Sequence, residues 1–219
     1  MTRAKILAAC AALAVVASLA LNVVGQPDNA PDAPVEPPVG ATQYVGELPK
    51  PATTLESQAM RTDVLITKGY QRIGEIDGDD GSLVRISAVQ VASAGSDTFR
   101  GLLVQVRQSR SSSRAAVSYV DEDEIDPLIA AVQNLAKLEP QDNRLTDVDG
   151  SFRTRGDLEV INVNNNGARM AGLRSTQLLR PTGQIVWATS SFRVSRLEQF
   201  QHQLEAGKQA LAGLRTPEK

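Results

Sequence analysis

The sequence predicts an α+β fold, an antiparallel β-sheet with two amphipathic helices packed on one face, in the order strands, helix, strands, helix. Three observations lead there. Runs rich in β-branched residues occur in two groups. Each group is followed by a single stretch whose apolar residues recur at three- and four-residue spacing. The runs are joined by short turns, which suit antiparallel pairing and leave no room for the crossovers of a parallel sheet.

The first group comprises an early run over Asp63–Tyr70, then Val84–Val91, Gly101–Val106 and Ala115–Val120. Asp77-Gly78-Asp79-Asp80-Gly81 has turn composition and separates the first two. The first helix is predicted over Glu124–Leu138, where Ile125, Leu128, Ile129, Val132, Leu135 and Leu138 form one apolar face. Asp126 before Pro127 reads as an N-cap and first helical residue, and the acids before them suit the positive end of the helix dipole. The second group is Leu158–Val163, Met170–Leu178 and Ile185–Val194. Asn166-Gly167 marks a hairpin and Pro181-Thr182-Gly183 the next turn. A second helix is predicted from Arg196 to Leu214, with Leu197, Phe200, Leu204, Leu211 and Leu214 on one stripe.

The N-terminus reads differently. Arg3 and Lys5 precede Ile6–Val24, an uncharged and mainly apolar run, and this is the pattern of a secretory signal over residues 1–25. The run also approaches the roughly 20 residues that span a bilayer, so an uncleaved membrane anchor is the rival reading. In both cases the remainder is expected outside the cytoplasm: periplasmic, extracellular or membrane-tethered. Leu7-Ala8-Ala9-Cys10 resembles a lipobox, but the apolar run lies mostly after Cys10, and a Cys within an apolar segment is the plainer account. Residues 26–60 hold seven of the 11 prolines and few large apolar residues, and are read as a disordered, semi-extended stalk. Residues 61–215 are expected to form the single folded domain.

Composition excludes several function classes. A formal net charge of -2 provides no field to draw in nucleic acid. Cys10 is the only cysteine and His202 the only histidine, so disulfides and Cys- or His-rich metal sites cannot be built in the domain. No nucleophile elbow, phosphate-binding loop or dinucleotide fingerprint occurs. Counted from Asp77, the acidic turn fails the calcium-loop pattern, with Ser82 at the sixth position and Ala88 at the twelfth. Asp147 and Asp149 form a second short acidic turn. His202 should face solvent beside Glu198. No catalytic residue, metal or cofactor is expected.

Three residues stand as candidate ligand contacts. Trp187 alternates away from Val186, Ala188, Phe192 and Val194 on its strand, and so points to the less protected side. Arg110 and Arg114 flank the polar loop Ser109–Arg114 and have the chemistry to meet an anion. The plainer readings are a Trp packed beneath a loop and an exposed hairpin loop. The expected partner is an envelope protein or small ligand, with no nucleic acid, and with a membrane only through an uncleaved N-terminal segment. A non-enzymatic binding or assembly module is the favoured function. The alternative is a secreted hydrolase using paired carboxylates, Asp121 or Asp123 with Asp157.

Tyr119-Val120-Asp121-Glu122-Asp123-Glu124-Ile125 running into the helix, followed by Phe152-Arg153-Thr154-Arg155-Gly156-Asp157, resembles a pattern in a group of uncharacterised exported bacterial proteins. The resemblance spans roughly residues 70–213. It implies an exported bacterial domain and assigns no activity or site.

Overall fold

The structure, a computed structural model, describes residues 41–95, 97–109, 114–138, 148–165 and 168–214. Two antiparallel sheets form there, where one was expected. The first is a meander of β2 (Ile66–Asp77), β3 (Leu83–Ser93), β4 (Thr98–Arg107) and β5 (Ala115–Asp121) in that order. The second contains β1 (Ala41–Gln43), β6 (Val148–Arg153), β7 (Leu158–Asn165), β8 (Ala168–Leu179) and β9 (Gln184–Arg193), in the order β1-β9-β8-β7-β6. Three helices complete the fold: α1 (Thr54–Ala59), α2 (Ile125–Lys137) and α3 (Ser195–Gly213).

This corrects the expectation of one sheet with both helices on one face. Each helix lies on the sheet of the other half of the chain: α2 follows β5 yet packs on β6 and β7, and α3 follows β9 yet packs on β2, β3 and β4. The helices also pack on each other, and beyond them β4 and β5 meet β8 and β9 directly. Side-chain size follows this division. Where the sheets touch, the inward residues include Ala116, Ser118, Ser175, Ala188 and Ser190, small enough for close approach. Two buried hydroxyl pairs form there, Ser118 Oγ with Ser175 Oγ at 2.7 Å and Ser82 Oγ donating to Ser190 Oγ at 2.6 Å. Larger side chains fill the volume around the helices, among them Ile86 and Leu102 from the first sheet, Leu158 and Phe192 from the second, and Leu128, Val132, Phe200 and Leu204 from α2 and α3.

The helix expected over Glu124–Leu138 begins at Ile125, two residues before the first position that its Asp126-Pro127 signal implies. A 3-10 turn over Glu122–Glu124 leads directly into Ile125, so Pro127 sits inside the first turn, where its missing N–H costs nothing. Asp126 is therefore not the cap. Its carboxylate accepts from Lys208 Nζ at 2.5 and 2.7 Å, an exposed link between α2 and α3. At the other end of α2, Asn162 Nδ2 donates to the Leu135 carbonyl, and Arg169 Nη2 donates to the carbonyls of Ala136 and Leu138. These satisfy carbonyls that a helix C-terminus leaves open.

The second half of the segment read as a stalk is built into the fold. β1 pairs with residues 184–186 of β9, and α1 covers the outer face of the first sheet. Leu55 of α1 is fully buried with Val89 and Val91, against Phe99, Leu103 and Tyr119. One apolar anchor in a short helix is a weak sequence signal beside several prolines. Here it suffices because Gly101 leaves room for it: a Cβ at that glycine would lie 2.4 Å from Leu55 Cδ1. Residues 26–40 and the leader lie outside the described residues. Among those described, no helix is long and apolar enough to cross a membrane.

The acidic turn Asp77–Gly81 has a structural duty as a clasp between the sheets. Asp80 accepts from the backbone N–H of Ser82 and Ser191, Asp79 accepts from that of Arg193, and the Asp79 N–H donates to the Ser191 carbonyl at 2.8 Å. The tip of the β2–β3 hairpin thereby covers the edge of β9 beyond β1, where unpaired strand groups would otherwise be presented. Asp80→Ala is expected to lower unfolding free energy by about 1 kcal/mol, since one net backbone hydrogen bond to each of two elements is lost at a partly wet site. A urea titration showing a lower midpoint with an unchanged slope checks this.

Candidate functional site

Proceeding outward from β5, the edge strand of the first sheet, the structure encloses a cavity of about 260 Å³ between β5, the β6–β7 turn, the end of β8 and the α1 segment. Val117 and Tyr119 come from β5, Thr176, Gln177 and Leu178 from β8, and Arg180 from the turn after it. Arg155, Gly156 and Asp157 come from the hairpin tip. Lys50, Glu56 and Met60 come from α1 and its approaches. Four separate stretches of chain thus converge on one volume.

Asp121 ties the α1 wall to the scaffold. Its carboxylate accepts from the Thr54 N–H at 2.7 Å and the Leu55 N–H at 3.0 Å, and Thr53 Oγ1 caps the Glu56 N–H at 3.1 Å. The first three amides of α1 are therefore all satisfied, two of them from a strand 66 or more residues away. Arg155 closes the other side. Its guanidinium meets Asp123 at 2.5 Å, Glu124 at 3.2 Å and Asp121 at 3.6 Å, and its backbone N–H donates to Glu124. Three of the four acids of residues 121–124, Asp121, Asp123 and Glu124, are gathered on one arginine, which the helix-dipole reading did not anticipate.

Gly156 lets the hairpin tip touch β5. A Cβ there would fall 1.9 Å from the Tyr119 carbonyl oxygen, so only a hydrogen fits. The next residue, Asp157, has φ 61, the one non-glycine among the described residues with positive φ. Asp tolerates this region better than most residues, yet the conformation still carries strain. Asp157→Gly is expected to raise unfolding free energy by about 0.5–1 kcal/mol, because the carboxylate's one ion pair among the described residues, Arg153 at 3.1 Å, is exposed. Thermal melts of the two proteins at equal pH decide the sign. A gain would mark the carboxylate as retained for the cavity and not for the fold.

Glu56 and Arg180 face each other in the wall at 3.8 Å, their side chains only 17% and 22% exposed. Arg180 Nη1 donates to the Pro49 carbonyl at 2.6 Å, while its Nε is buried without a hydrogen-bond partner. Burial pushes the Glu56 carboxyl above the usual carboxylate range; Arg180 and a backbone N–H oppose this, and the charge of Asp157 adds to it. Burial likewise raises the Tyr119 phenol, with smaller contributions from Tyr70 and Glu56. The folded-state value of Glu56 lies above its unfolded one. Its contribution to stability is thus fully present below the unfolded carboxylate range and is lost as pH rises through the folded value. Glu56→Gln should remove this falling component, so that unfolding free energy rises more steeply, or falls less, with pH across the carboxylate range than in the parent.

The candidate residues from the sequence fall elsewhere. Trp187 is half-buried on β9, opposite Thr176 of β8 and on the face turned away from Ala188 and Phe192. It stands beside the cavity's Thr176 but does not line the cavity. Arg114 donates from Nη1 to Gln108 Oε1 at 2.9 Å, and Arg110 lies outside the described residues. His202 is 76% exposed and faces solvent as expected, with Nδ1 3.5 Å from Glu205. Asp147 is outside the described residues, and among those described no group of three or more metal-ligating side chains assembles. The carboxylates proposed as a catalytic pair are engaged by different partners: Asp121 holds α1, Asp123 holds Arg155 and Asp157 pairs with Arg153.

No protein-family model, curated protein or solved structure matches this chain.

Proposed function

We propose that the chain is an exported, non-enzymatic binding module of the bacterial envelope, and that the cavity between β5, β8, the β6–β7 turn and α1 is its ligand site. Export rests on the basic and apolar leader of residues 1–25 together with the resemblance carried by residues 119–125 and 152–157. The binding role rests on one observation above all: a concave site joins Glu56, Asp157, Arg180 and Lys50 to the apolar surfaces of Tyr119, Met60 and Leu178. A small set of convergent polar groups among apolar ones is the composition of a ligand pocket. A strained Asp157 and a carboxyl of raised pKa in the same wall support it.

The test is a thermal-shift screen of small polar compounds against the protein and against Thr176→Trp, whose indole fills the cavity from β8. Compounds that raise the melting temperature of the parent but not of the variant support the reading. A screen with no such compound, or with equal shifts in both proteins, contradicts it. Cell fractionation with intact-mass measurement tests export: the chain should be recovered outside the cytoplasm, and recovery only in the cytosol would contradict it.

A hydrolase acting through paired carboxylates is the second reading, favoured by Glu56 and Asp157 lining one cavity. It predicts that a bound compound is cleaved and that Glu56→Gln abolishes cleavage. The binding reading predicts that the compound is recovered intact.

A further inference from the structure

The geometry points to a dipolar ligand, one with a free ammonium and a free carboxylate as in an amino acid or short peptide. This rests on the cavity being the ligand site, and deepens that reading by naming the chemistry.

The charges in the wall discriminate by sign. Lys50, Arg155 and Arg180 are cationic, and Glu56 and Asp157 anionic. Arg155 is already engaged by Asp121, Asp123 and Glu124, and Asp157 shares an exposed pair with Arg153, which leaves Arg180 and Lys50 on one side of the balance and Glu56, with a weakly paired Asp157, on the other. A ligand of single negative charge would meet Arg180 but be opposed by Glu56 and Asp157. A ligand of single positive charge would meet the acids but be opposed by Arg180 and Lys50. Only a ligand carrying both charges gains from both sets, and the repulsive member of each set rejects the alternatives.

Hydrogen bonding leads to the same chemistry. Arg180 Nε is buried and has no hydrogen-bond partner, although Nη1 of the same group is bonded to Pro49. A donor in that state gains a full partner from an incoming carboxylate. Glu56 offers an acceptor for an ammonium, and its contact with Arg180, 3.8 Å long, is loose enough for both to turn to a ligand. Tyr119, Met60 and Leu178 suit a small apolar side chain between the charged ends. The volume of about 260 Å³ equals that of roughly nine waters at the liquid share of about 30 Å³ each, room for a dipeptide of small residues.

Three probes test this by isothermal titration of the full chain: L-alanyl-L-alanine, its N-acetyl derivative and its C-terminal amide. The free dipeptide should bind, and each blocked form should bind at least 10-fold more weakly. Glu56→Gln should bring the free and N-acetylated forms to within about twofold of each other, and Arg180→Met should do so for the free and amidated forms. The probe comparison on the unmodified protein does not depend on either variant folding. Blocked forms that bind within twofold of the free dipeptide overturn the inference. So does an absence of dipeptide binding, and if the screen against Thr176→Trp still gives cavity-dependent compounds, that result removes the dipolar ligand while leaving the cavity as a binding site.

Discussion

Gly156→Ala is expected to cost about 3 kcal/mol or more and to open the cavity, because the added methyl would lie 1.9 Å from the Tyr119 carbonyl oxygen. That neighbour is backbone in a paired strand and cannot rotate aside as a side chain can. The hairpin tip would have to lift from β5, drawing Arg155 away from Asp123 and Glu124 and Asp157 away from the cavity. The Thr154–Leu158 backbone bond that closes the tip, 2.9 Å long, belongs to the hairpin itself and need not break. The variant should therefore remain folded with a lower melting temperature and lose ligand-dependent stabilisation. Denaturant titration gives the first effect and the thermal-shift screen the second. An unchanged midpoint would mean that the tip does not rest on β5.

Asp121→Ala is the second large effect, also about 3 kcal/mol. Its two oxygens are acceptors for two amides at the start of α1, and Leu55 behind them is fully buried. Removing the carboxylate leaves those amides without partners in a site shielded from water, at about 1–3 kcal/mol for each buried group left unmade. It also removes one acid from Arg155. The cost is limited by release: α1 can detach and let its amides reach water, leaving Val89, Val91 and Gly101 uncovered. Limited proteolysis separates this outcome from global unfolding. Trypsin should cut at Arg61 in Asp121→Ala at concentrations that leave the parent intact, while β3 and β4 stay protected. Asp121→Asn retains one acceptor and should cost about half as much.

How much of this was legible follows from what each signal measures. The apolar face of Ile125, Leu128, Val132 and Leu135 is a local pattern, and the helix it predicts forms within a residue of its expected bounds. The runs in residues 84–120 and 158–194 likewise form strands β3 to β5 and β7 to β9, because alternation and β-branching report on half-buried pleated surface. Periodicity shows that a face is apolar, but not which surface it will meet. The exchange of α2 and α3 between halves therefore could not be read, and a single sheet was assumed where two exist. The strand β6 was missed because Val148-Asp149-Gly150-Ser151-Phe152-Arg153 alternates weakly and contains a glycine.

The site was less legible than the fold. Arg155 and Gly156 appear in the sequence only as part of a resemblance, without a role, and Asp157 only as one of a hypothetical carboxylate pair. Glu56 was hidden in a segment dismissed for its prolines, and Arg180 beside a turn. Gly156 is needed for a close approach between residues 37 positions apart, which composition cannot signal. The one advance hint of the clustering was chemical: an acid-rich Asp121–Glu124 requires a cation, and Arg153 or Arg155 was available to supply it.

The central claim, that this cavity is where the protein meets its ligand, is tested most directly by following backbone amide resonances of the full chain during addition of L-alanyl-L-alanine. The account predicts saturable shifts concentrated at Tyr119, Gly156, Asp157, Thr176 and Gln177, which Thr176→Trp suppresses. Shifts centred on the outer face of β9 around Trp187 or on the edge strand β2, or none at any residue, would contradict it.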